Sequence, residues 1–265
     1  MADLLQLTRI SLKAGQEIMD VYEQEYTVEV KDDDSPLTIA DQRSHQTIVN
    51  GLEAAYPEIP ILSEEGAEIP YQERKDWKQF WLVDPLDGTK EFIKKNGEFT
   101  VNIALIEGKY PTMGVIYAPA LDTLYFGKKD LGGYKLEDVS KTELQSEEDL
   151  IQKSQQLPLT TYSDVTHVVA SRSHMSEDTE AFIDSLKEDN KTVDVVSAGS
   201  SLKFCLVAEG KADYYPRYAP TMEWDTGAGQ AIVEAAGGKV IRHEDEERFY
   251  YNRENLKNGW FLVYR

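Results

Sequence analysis

Two aspartates three residues apart follow an apolar run in WLVDPLDGT, residues 81–89. Asp84 stands at the carboxyl end of a predicted strand, where open sheets usually bind their ligands. Pro85 cannot donate to a neighbouring strand, so we expect pairing to stop there and to free the Leu86 carbonyl. Asp87 can then turn back beside Asp84. Hard oxygen donors of this kind suit Mg²⁺, which shares its shell with water and substrate phosphate.

Gly88 and Thr89 complete this stretch with features that suit a bound anion. Gly88 lets the backbone approach an anion closely, and Thr89 offers a hydroxyl at the start of the following segment. An ordinary turn that ends a strand is the alternative for two aspartates taken alone. Because the whole hexapeptide is less common than such a turn, we favour metal binding.

Two further acidic segments could join this site. Glu64 and Glu65 follow an apolar run, and Asp225 precedes a Gly- and Ala-rich predicted helix. Taken alone, Glu64 and Glu65 are as typical of a solvated surface pair as of a binding site, and Asp225 is as typical of a helix N-cap as of a binding site. Carboxylates about 4 Å apart repel by roughly 4 kcal/mol at an effective dielectric near 20, so convergence favours divalent cations. The chemistry would then be metal-assisted hydrolysis without a Ser, Cys or His nucleophile, and Cys205 is predicted to lie in the core.

Helices and strands that could position these residues alternate along the chain. Helical spacing of apolar residues from Leu7 to Val21 predicts an amphipathic opening helix, and a second helix is expected over about residues 38–56. Residues 137–164 are polar, acidic and almost free of aromatics, which predicts an exposed connection, partly strand. The order of elements indicates a layered α/β or α+β fold. We expect one domain over residues 1–265, with an α+β subdomain to about residue 160 and an α/β subdomain after it.

Charge and composition exclude several function classes. The formal net charge is −20, from 48 acidic and 28 basic residues. Such a balance argues against nucleic-acid binding and against unaided attachment to anionic lipid, and an anionic ligand would need local positive charge. One cysteine allows no internal disulfide. The opening residues do not resemble a signal peptide and no stretch is long enough to span a membrane, so the sequence predicts a cytoplasmic protein.

Three motifs in this order resemble the inositol-monophosphatase superfamily: SEE at 63–65, DPLDGT at 84–89 and WDTGAGQAIVEAAGG at 224–238. KDDDSPLTIAD, SRSH and GSSLKFCLVAEGKADYYPR look like the CysQ-type 3′(2′),5′-bisphosphate nucleotidases within it. The resemblance covers most of the chain except residues 137–164 and about the last 25. Gly227 and Gly229 stand where alanines would be expected, which could loosen that helix slightly.

The resemblance implies an α/β/α/β/α sandwich with the site between two subdomains. It implies two or three Mg²⁺ ions, held by Glu64, Asp84, the Leu86 carbonyl, Asp87 and Asp225. Catalytic roles would fall to Asp33, Glu64 and Thr89, of which Asp33 and Thr89 orient and deprotonate the attacking water. The substrate would contact these residues: Glu64, Leu86, Asp87, Gly88, Thr89, His174, Ser200, Lys203, Arg217 and Asp225.

The activity implied is hydrolysis of adenosine 3′,5′-bisphosphate to AMP and phosphate, with the 5′-phosphosulfate analogue as a further substrate, in sulfur assimilation. Inositol monophosphate and fructose 1,6-bisphosphate are the alternative substrates. An aspartyl-phosphate mechanism is disfavoured because its two aspartates stand two residues apart, whereas Asp84 and Asp87 stand three apart. A non-catalytic calcium-binding module is the remaining alternative. Some bacterial members are peripheral on the cytoplasmic side of the inner membrane, which the charge of this chain does not support.

Overall fold

The computed structural model of the chain describes residues 2–23, 28–30, 36–160, 164–170, 175–188 and 192–265. Its helices are α1 (Leu4–Tyr22), α2 (Ile39–Ala55), α3 (Tyr71–Arg74), α4 (Thr89–Ile93), α5 (Glu147–Lys153), α6 (Glu177–Glu188), α7 (Leu202–Glu209) and α8 (Gly227–Ala235). Its strands are β1 (Val28–Val30), β2 (Pro36–Thr38), β3 (Ile61–Ser63), β4 (Gln79–Asp87), β5 (Thr100–Glu107), β6 (Tyr110–Ala118), β7 (Thr123–Lys128), β8 (Gly132–Glu137), β9 (Gln155–Gln156), β10 (Val165–Val169), β11 (Thr192–Val196), β12 (Tyr214–Arg217), β13 (Lys239–Arg242) and β14 (Phe261–Tyr264). The two helices predicted in the first 60 residues are confirmed as α1 and α2.

The larger sheet has seven strands in the order β3-β4-β5-β6-β7-β8-β9. Only the pair β3 and β4 is parallel, and the other neighbours are antiparallel. α1 and α2 cover one face of this sheet, and α8 covers the other. In β4, Trp81 and Val83 enter the core beneath α1 and α2, whereas Phe80 and Leu82 enter the core beneath α7 and α8. Because both faces of β4 are buried, its apolar residues form a continuous run.

The smaller sheet has five strands in the order β11-β10-β12-β14-β13. α7 packs on β12 and β14, and α6 packs on the opposite face through Ile183 and Leu186 against Val168. The layers therefore run α1 and α2, the seven-stranded sheet, α7 and α8, the five-stranded sheet, and α6. This arrangement confirms the layered α/β/α/β/α fold class. None of the helices in the described ranges combines the length and apolar composition needed to cross a bilayer.

The connection over residues 137–164 differs from its prediction only in part. It contains a 3-10 turn, α5 and β9, and most of its described residues are exposed or half-buried, so the expectations of an exposed connection and of some strand are largely confirmed. Val139, Leu150 and Leu157 are buried, and the first two belong to the core beneath α1 and α2. The prediction of an exposed connection was wrong for these residues, because a few apolar side chains suffice to anchor an otherwise charged segment.

The glycines of α8 serve close packing. A Cβ on Gly227 would lie 2.8 Å from Cδ2 of Leu82, and a Cβ on Gly229 would lie 2.7 Å from Cδ2 of Phe204. Larger residues would push α8 away from β4 and α7. α8 nevertheless begins at Gly227 and runs to Ala235. Cys205 is buried in the same core, as predicted.

Candidate active site

The carboxyl end of β4 carries the first two aspartates. Asp84 pairs with Asn102 and Asp87 pairs with Thr100, so the register between β4 and β5 shifts in between. The shift falls at Pro85, where the sequence predicts that pairing stops, although the strand resumes at Asp87. The N–H of Leu86 donates to Asp84 Oδ1 (3.1 Å), which turns the backbone around this carboxylate. Asp84 is 1% exposed.

The next two residues turn the chain into a short helix. Gly88 adopts a φ of 90°, which favours glycine, and α4 begins at Thr89. The Thr89 hydroxyl donates to the Leu86 carbonyl at 3.4 Å. Thr89 and the Leu86 carbonyl therefore stand on the same side of the turn that follows β4.

Glu64 and Asp225 reach this turn from other parts of the chain. β3 lies parallel to β4, so Glu64 leaves its strand at the same edge, and its N–H donates to Val83 O (3.2 Å). Asp225 ends the 3-10 turn Glu223–Asp225. Its Oδ2 accepts from the N–H of Met222 (2.8 Å), so it caps the preceding turn, whereas α8 begins without a side-chain cap.

These carboxylates lie close enough to raise one another's pKa. Burial is the main cause that raises the pKa of Asp84 well above its ordinary value. Four nearby carboxylates raise it further: Glu64, Asp87, Asp225 and Asp41. The pKa of Asp225 is also raised well above its ordinary value, first by burial and then by Asp87. The structure therefore brings together the four acidic residues that the sequence singled out and adds Asp41.

This set of donors fits a hard divalent cation. Carboxylates that are buried among other carboxylates gain most from a cation, and Mg²⁺ and similar ions prefer oxygen ligands. No group of three His, Cys, Asp or Glu side chains in the described ranges already stands at metal-binding spacing. Cation binding would therefore require these carboxylates to turn further toward one another.

A cavity of about 130 Å³ adjoins the carboxylates and is lined by two basic side chains, Lys203 and Arg217, together with Asp87, Glu91 and Asp225. It is lined by six of the predicted residues: Asp87, Gly88, Ser200, Lys203, Arg217 and Asp225. Burial lowers the pKa of Lys203, and Asp87 opposes this shift. The Nζ of Lys203 donates to Ala198 O at 3.3 Å, and Arg217 Nη2 donates to Pro220 O at 3.2 Å. Lys203 and Arg217 therefore supply local positive charge for an anionic ligand in a cavity that also contains carboxylates.

Two side chains that line this cavity carry a polar atom without a hydrogen-bond partner in the described part of the chain. Ser200 Oγ and Arg217 Nε are buried, and neither has a hydrogen-bond partner among the described residues. Ser200 also adopts a φ of 43°, a conformation that non-glycine residues rarely adopt. Such features are typical of a site built for a ligand.

Three residues that the sequence did not single out belong to this site. Asp41 is 2% exposed and raises the pKa of Asp84. Its sequence signal was its spacing from Ile48 and Leu52, which places a carboxylate on the buried face of α2. Ser201 and Asn102 join the carboxylates through hydrogen bonds, and no local pattern distinguishes them from ordinary cap and strand residues. Two predicted residues, Asp33 and His174, lie outside the described residues.

Comparisons with known proteins identify the family of this chain. The sequence profile of the inositol monophosphatase family matches residues 3–259. The 3′(2′),5′-bisphosphate nucleotidase CysQ of Salmonella typhimurium is 44% identical over 262 residues, which are 98% of this chain and 98% of the relative. The crystal structure of CysQ from Bacteroides thetaiotaomicron superposes with a TM-score of 0.89 at 48% identity, covering 98% of this chain and 96% of that chain.

A more distant structure shares the fold alone. The extragenic suppressor protein suhB from Bartonella henselae has a TM-score of 0.75 at 22% identity, covering 99% of this chain and 93% of that chain. The profile match and the close relatives span nearly the whole chain, including every segment that contributes to the site. The chain belongs to the inositol monophosphatase family.

Proposed function

We propose that this protein is a Mg²⁺-dependent 3′(2′),5′-bisphosphate nucleotidase that converts adenosine 3′,5′-bisphosphate to AMP and phosphate. The observation that carries the proposal is the position of Asp87, which follows Asp84 at the end of β4 and also lines the cavity that contains Lys203 and Arg217. The carboxylate cluster and the cavity that contains Lys203 and Arg217 thus share a wall. A substrate with two phosphates can place one at each, whereas a monophosphate would leave one side unused.

Five groups would hold two or three Mg²⁺ ions: Glu64, Asp84, the Leu86 carbonyl, Asp87 and Asp225. When bound, Mg²⁺ lowers the pKa of a coordinated water and offsets negative charge on the phosphate. The chain would hold the reacting phosphate at this edge of β4, where Gly88 allows close approach of the backbone. The same groups would keep the scissile ester in line with the attacking water.

Proton transfer from the attacking water would involve Asp33, Glu64 and Thr89. The Thr89 hydroxyl, which donates to the Leu86 carbonyl at 3.4 Å, can accept a hydrogen bond from the water and so orient it. Asp33 would accept the proton. Asp41 is a second candidate acceptor, because it is buried and lies within electrostatic reach of Asp84.

The second phosphate of the substrate would bind beside Lys203 and Arg217 in the cavity. Lys203 and Arg217 supply charge, and the unpartnered Ser200 Oγ and Arg217 Nε supply hydrogen bonds. His174 would contact the nucleoside. The 5′-phosphosulfate analogue carries a similar anionic group, so we propose it as a further substrate and place the reaction in sulfur assimilation.

A phosphate-release assay on a small panel tests the proposal. The panel contains adenosine 3′,5′-bisphosphate, inositol 1-phosphate, fructose 1,6-bisphosphate and AMP, each with Mg²⁺ and with EDTA. We expect turnover of the first substrate at a kcat/KM at least about tenfold above the others, and no turnover with EDTA. Equal turnover of all four, faster turnover of a sugar phosphate, or metal binding without turnover would each contradict it.

A further inference from the structure

Ser201 lies between the two acidic segments of the site and contacts both. Its hydroxyl is 2.7 Å from Asp87 Oδ2 and 3.0 Å from the backbone carbonyl of Asp225. The amide nitrogen of Asn102 donates to the same hydroxyl at 3.0 Å. Ser201 is 2% exposed and Asn102 is 1% exposed, so water competes little for these bonds.

The position of Ser201 in its helix indicates that the hydroxyl is used for the site. Ser201 is the N-cap residue of α7, where a serine hydroxyl usually accepts from the first N–H groups of the helix. Here the side chain makes no such bond. By contrast, Ser146, the N-cap of α5, accepts from the N–H of Asp149 at 3.1 Å. The helical backbone of Ser201 (φ −71°, ψ −3°) keeps its hydroxyl from the capping position, and the hydroxyl instead lies within hydrogen-bond distance of Asp87 and Asp225.

Asn102 fixes the direction in which this hydroxyl donates. A hydroxyl has one proton, and because its lone pair accepts from the amide of Asn102, the proton is left for the oxygens of Asp87 and Asp225. The carboxylate of Asp87 is nearer and charged, so it is the better acceptor. Asn102 itself pairs with Asp84 across β4 and β5. The pair thus links both aspartates of β4 to the start of α7 and to the turn that carries Asp225.

From this geometry we infer that Ser201, held by Asn102, is a positioning residue that fixes the carboxylate of Asp87 for cation binding. The inference rests on the proposed metal site. Residues that orient metal ligands typically contribute about 10- to 100-fold to metal affinity or activity. Ser201 also follows Ser200 and precedes Lys203, so the same segment positions a metal ligand and lines the cavity for the second phosphate.

Mg²⁺ titration by calorimetry, without substrate, tests this role on four variants and the wild-type protein. We expect Ser201→Ala to weaken Mg²⁺ binding about 10- to 100-fold and Ser201→Thr to stay within about threefold of wild type. Asn102→Leu, which removes the donor behind the hydroxyl, should also weaken binding at least about threefold. Ser146→Ala is the matched control: it should lower the melting temperature and leave Mg²⁺ affinity unchanged.

Kinetics then separate positioning from general destabilisation. Ser201→Ala should raise the Mg²⁺ concentration needed for half-maximal rate, with kcat largely recovered at saturating Mg²⁺. Wild-type Mg²⁺ affinity in Ser201→Ala, or in Asn102→Leu if the first variant does not fold, would overturn the inference. An equal loss of Mg²⁺ affinity in Ser201→Thr and Ser201→Ala would also overturn the inference. A wild-type protein that binds no Mg²⁺ would instead overturn the proposed function, and the inference with it.

Discussion

The ring of Phe204 in α7 packs directly on the backbone of Gly229 in α8, where a Cβ would lie 2.7 Å from Cδ2 of the ring. Gly229→Ala should therefore destabilise the protein by about 1–3 kcal/mol, because both helices must shift to accommodate one methyl group. Urea denaturation measures this change. Gly259→Ala is the control, since a Cβ at that position would meet no atom within 4 Å beyond its chain neighbours, and its effect should stay below about 0.5 kcal/mol. Similar values for the two variants would contradict this packing.

Asp84→Asn should separate stability from activity. Removing a carboxylate that is buried among four others should raise the stability of the EDTA-treated protein by roughly 1 kcal/mol or more. The same change should remove most of the thermal stabilisation by Mg²⁺ and lower phosphate release at least about 100-fold. Thermal unfolding with EDTA and with Mg²⁺ measures the first two effects. Asp76 is exposed, so Asp76→Asn is the control. Wild-type stability and activity of Asp84→Asn would show that Asp84 does not bind the metal.

Lys203→Ala should change substrate preference more than rate. Lys203 is one of two basic side chains that line the cavity, so its loss should raise the KM for adenosine 3′,5′-bisphosphate about 10- to 100-fold, the value of one charge-assisted hydrogen bond. Hydrolysis of inositol 1-phosphate should change little. The control is Lys187→Ala, an exposed lysine that pairs with Asp184 on α6. Equal losses on every phosphate monoester would show that Lys203 does not recognise the second phosphate.

Tyr125→Phe tests a buried contact between the seven-stranded sheet and α7. The Tyr125 hydroxyl on β7 donates to Glu209 at the end of α7, and Lys135 on β8 lies 3.4 Å from the same carboxylate oxygen. Because Glu209 is 1% exposed, water cannot readily replace the lost donor. We expect a loss of about 1.5–3 kcal/mol in the free energy of unfolding, measured by urea denaturation. Tyr110 is 37% exposed, so the control variant Tyr110→Phe should change the free energy of unfolding little. An unchanged free energy of unfolding in Tyr125→Phe would show that this bond adds no net stability.

The sequence was sufficient for the parts of this molecule that depend on local pattern. Helical periodicity defined α1 and α2, and the run that ends in Asp84 identified β4 and its interrupted edge. Glu64, Asp84 and Asp225 could be grouped because each follows or precedes a buried element.

The remaining features depend on contacts between distant segments. From sequence alone, Ser201 resembles an ordinary helix cap, and its contact with Asp87 depends on how α7 packs. Asn102 likewise resembles an ordinary strand residue, and its contact with Ser201 appears only in the folded chain. Gly229 could be expected only to loosen a helix, because its neighbour Phe204 comes from another helix. Val139 and Leu150 were assigned to an exposed connection because charged residues surround them in sequence, although both are buried. Each case requires knowledge of a partner that local sequence does not contain.

Asp87 and the start of α7 are joined by Ser201, yet more than a hundred residues separate them along the chain. During synthesis, the β4 aspartates therefore leave the ribosome long before α7 and Asp225 exist to meet them. A nascent chain that stops before α7 lacks Asp225 and the Ser201 hydroxyl, so it should bind Mg²⁺ more weakly than the complete chain. Full Mg²⁺ affinity would then depend on the docking of α7 and the Asp225 turn onto the seven-stranded sheet.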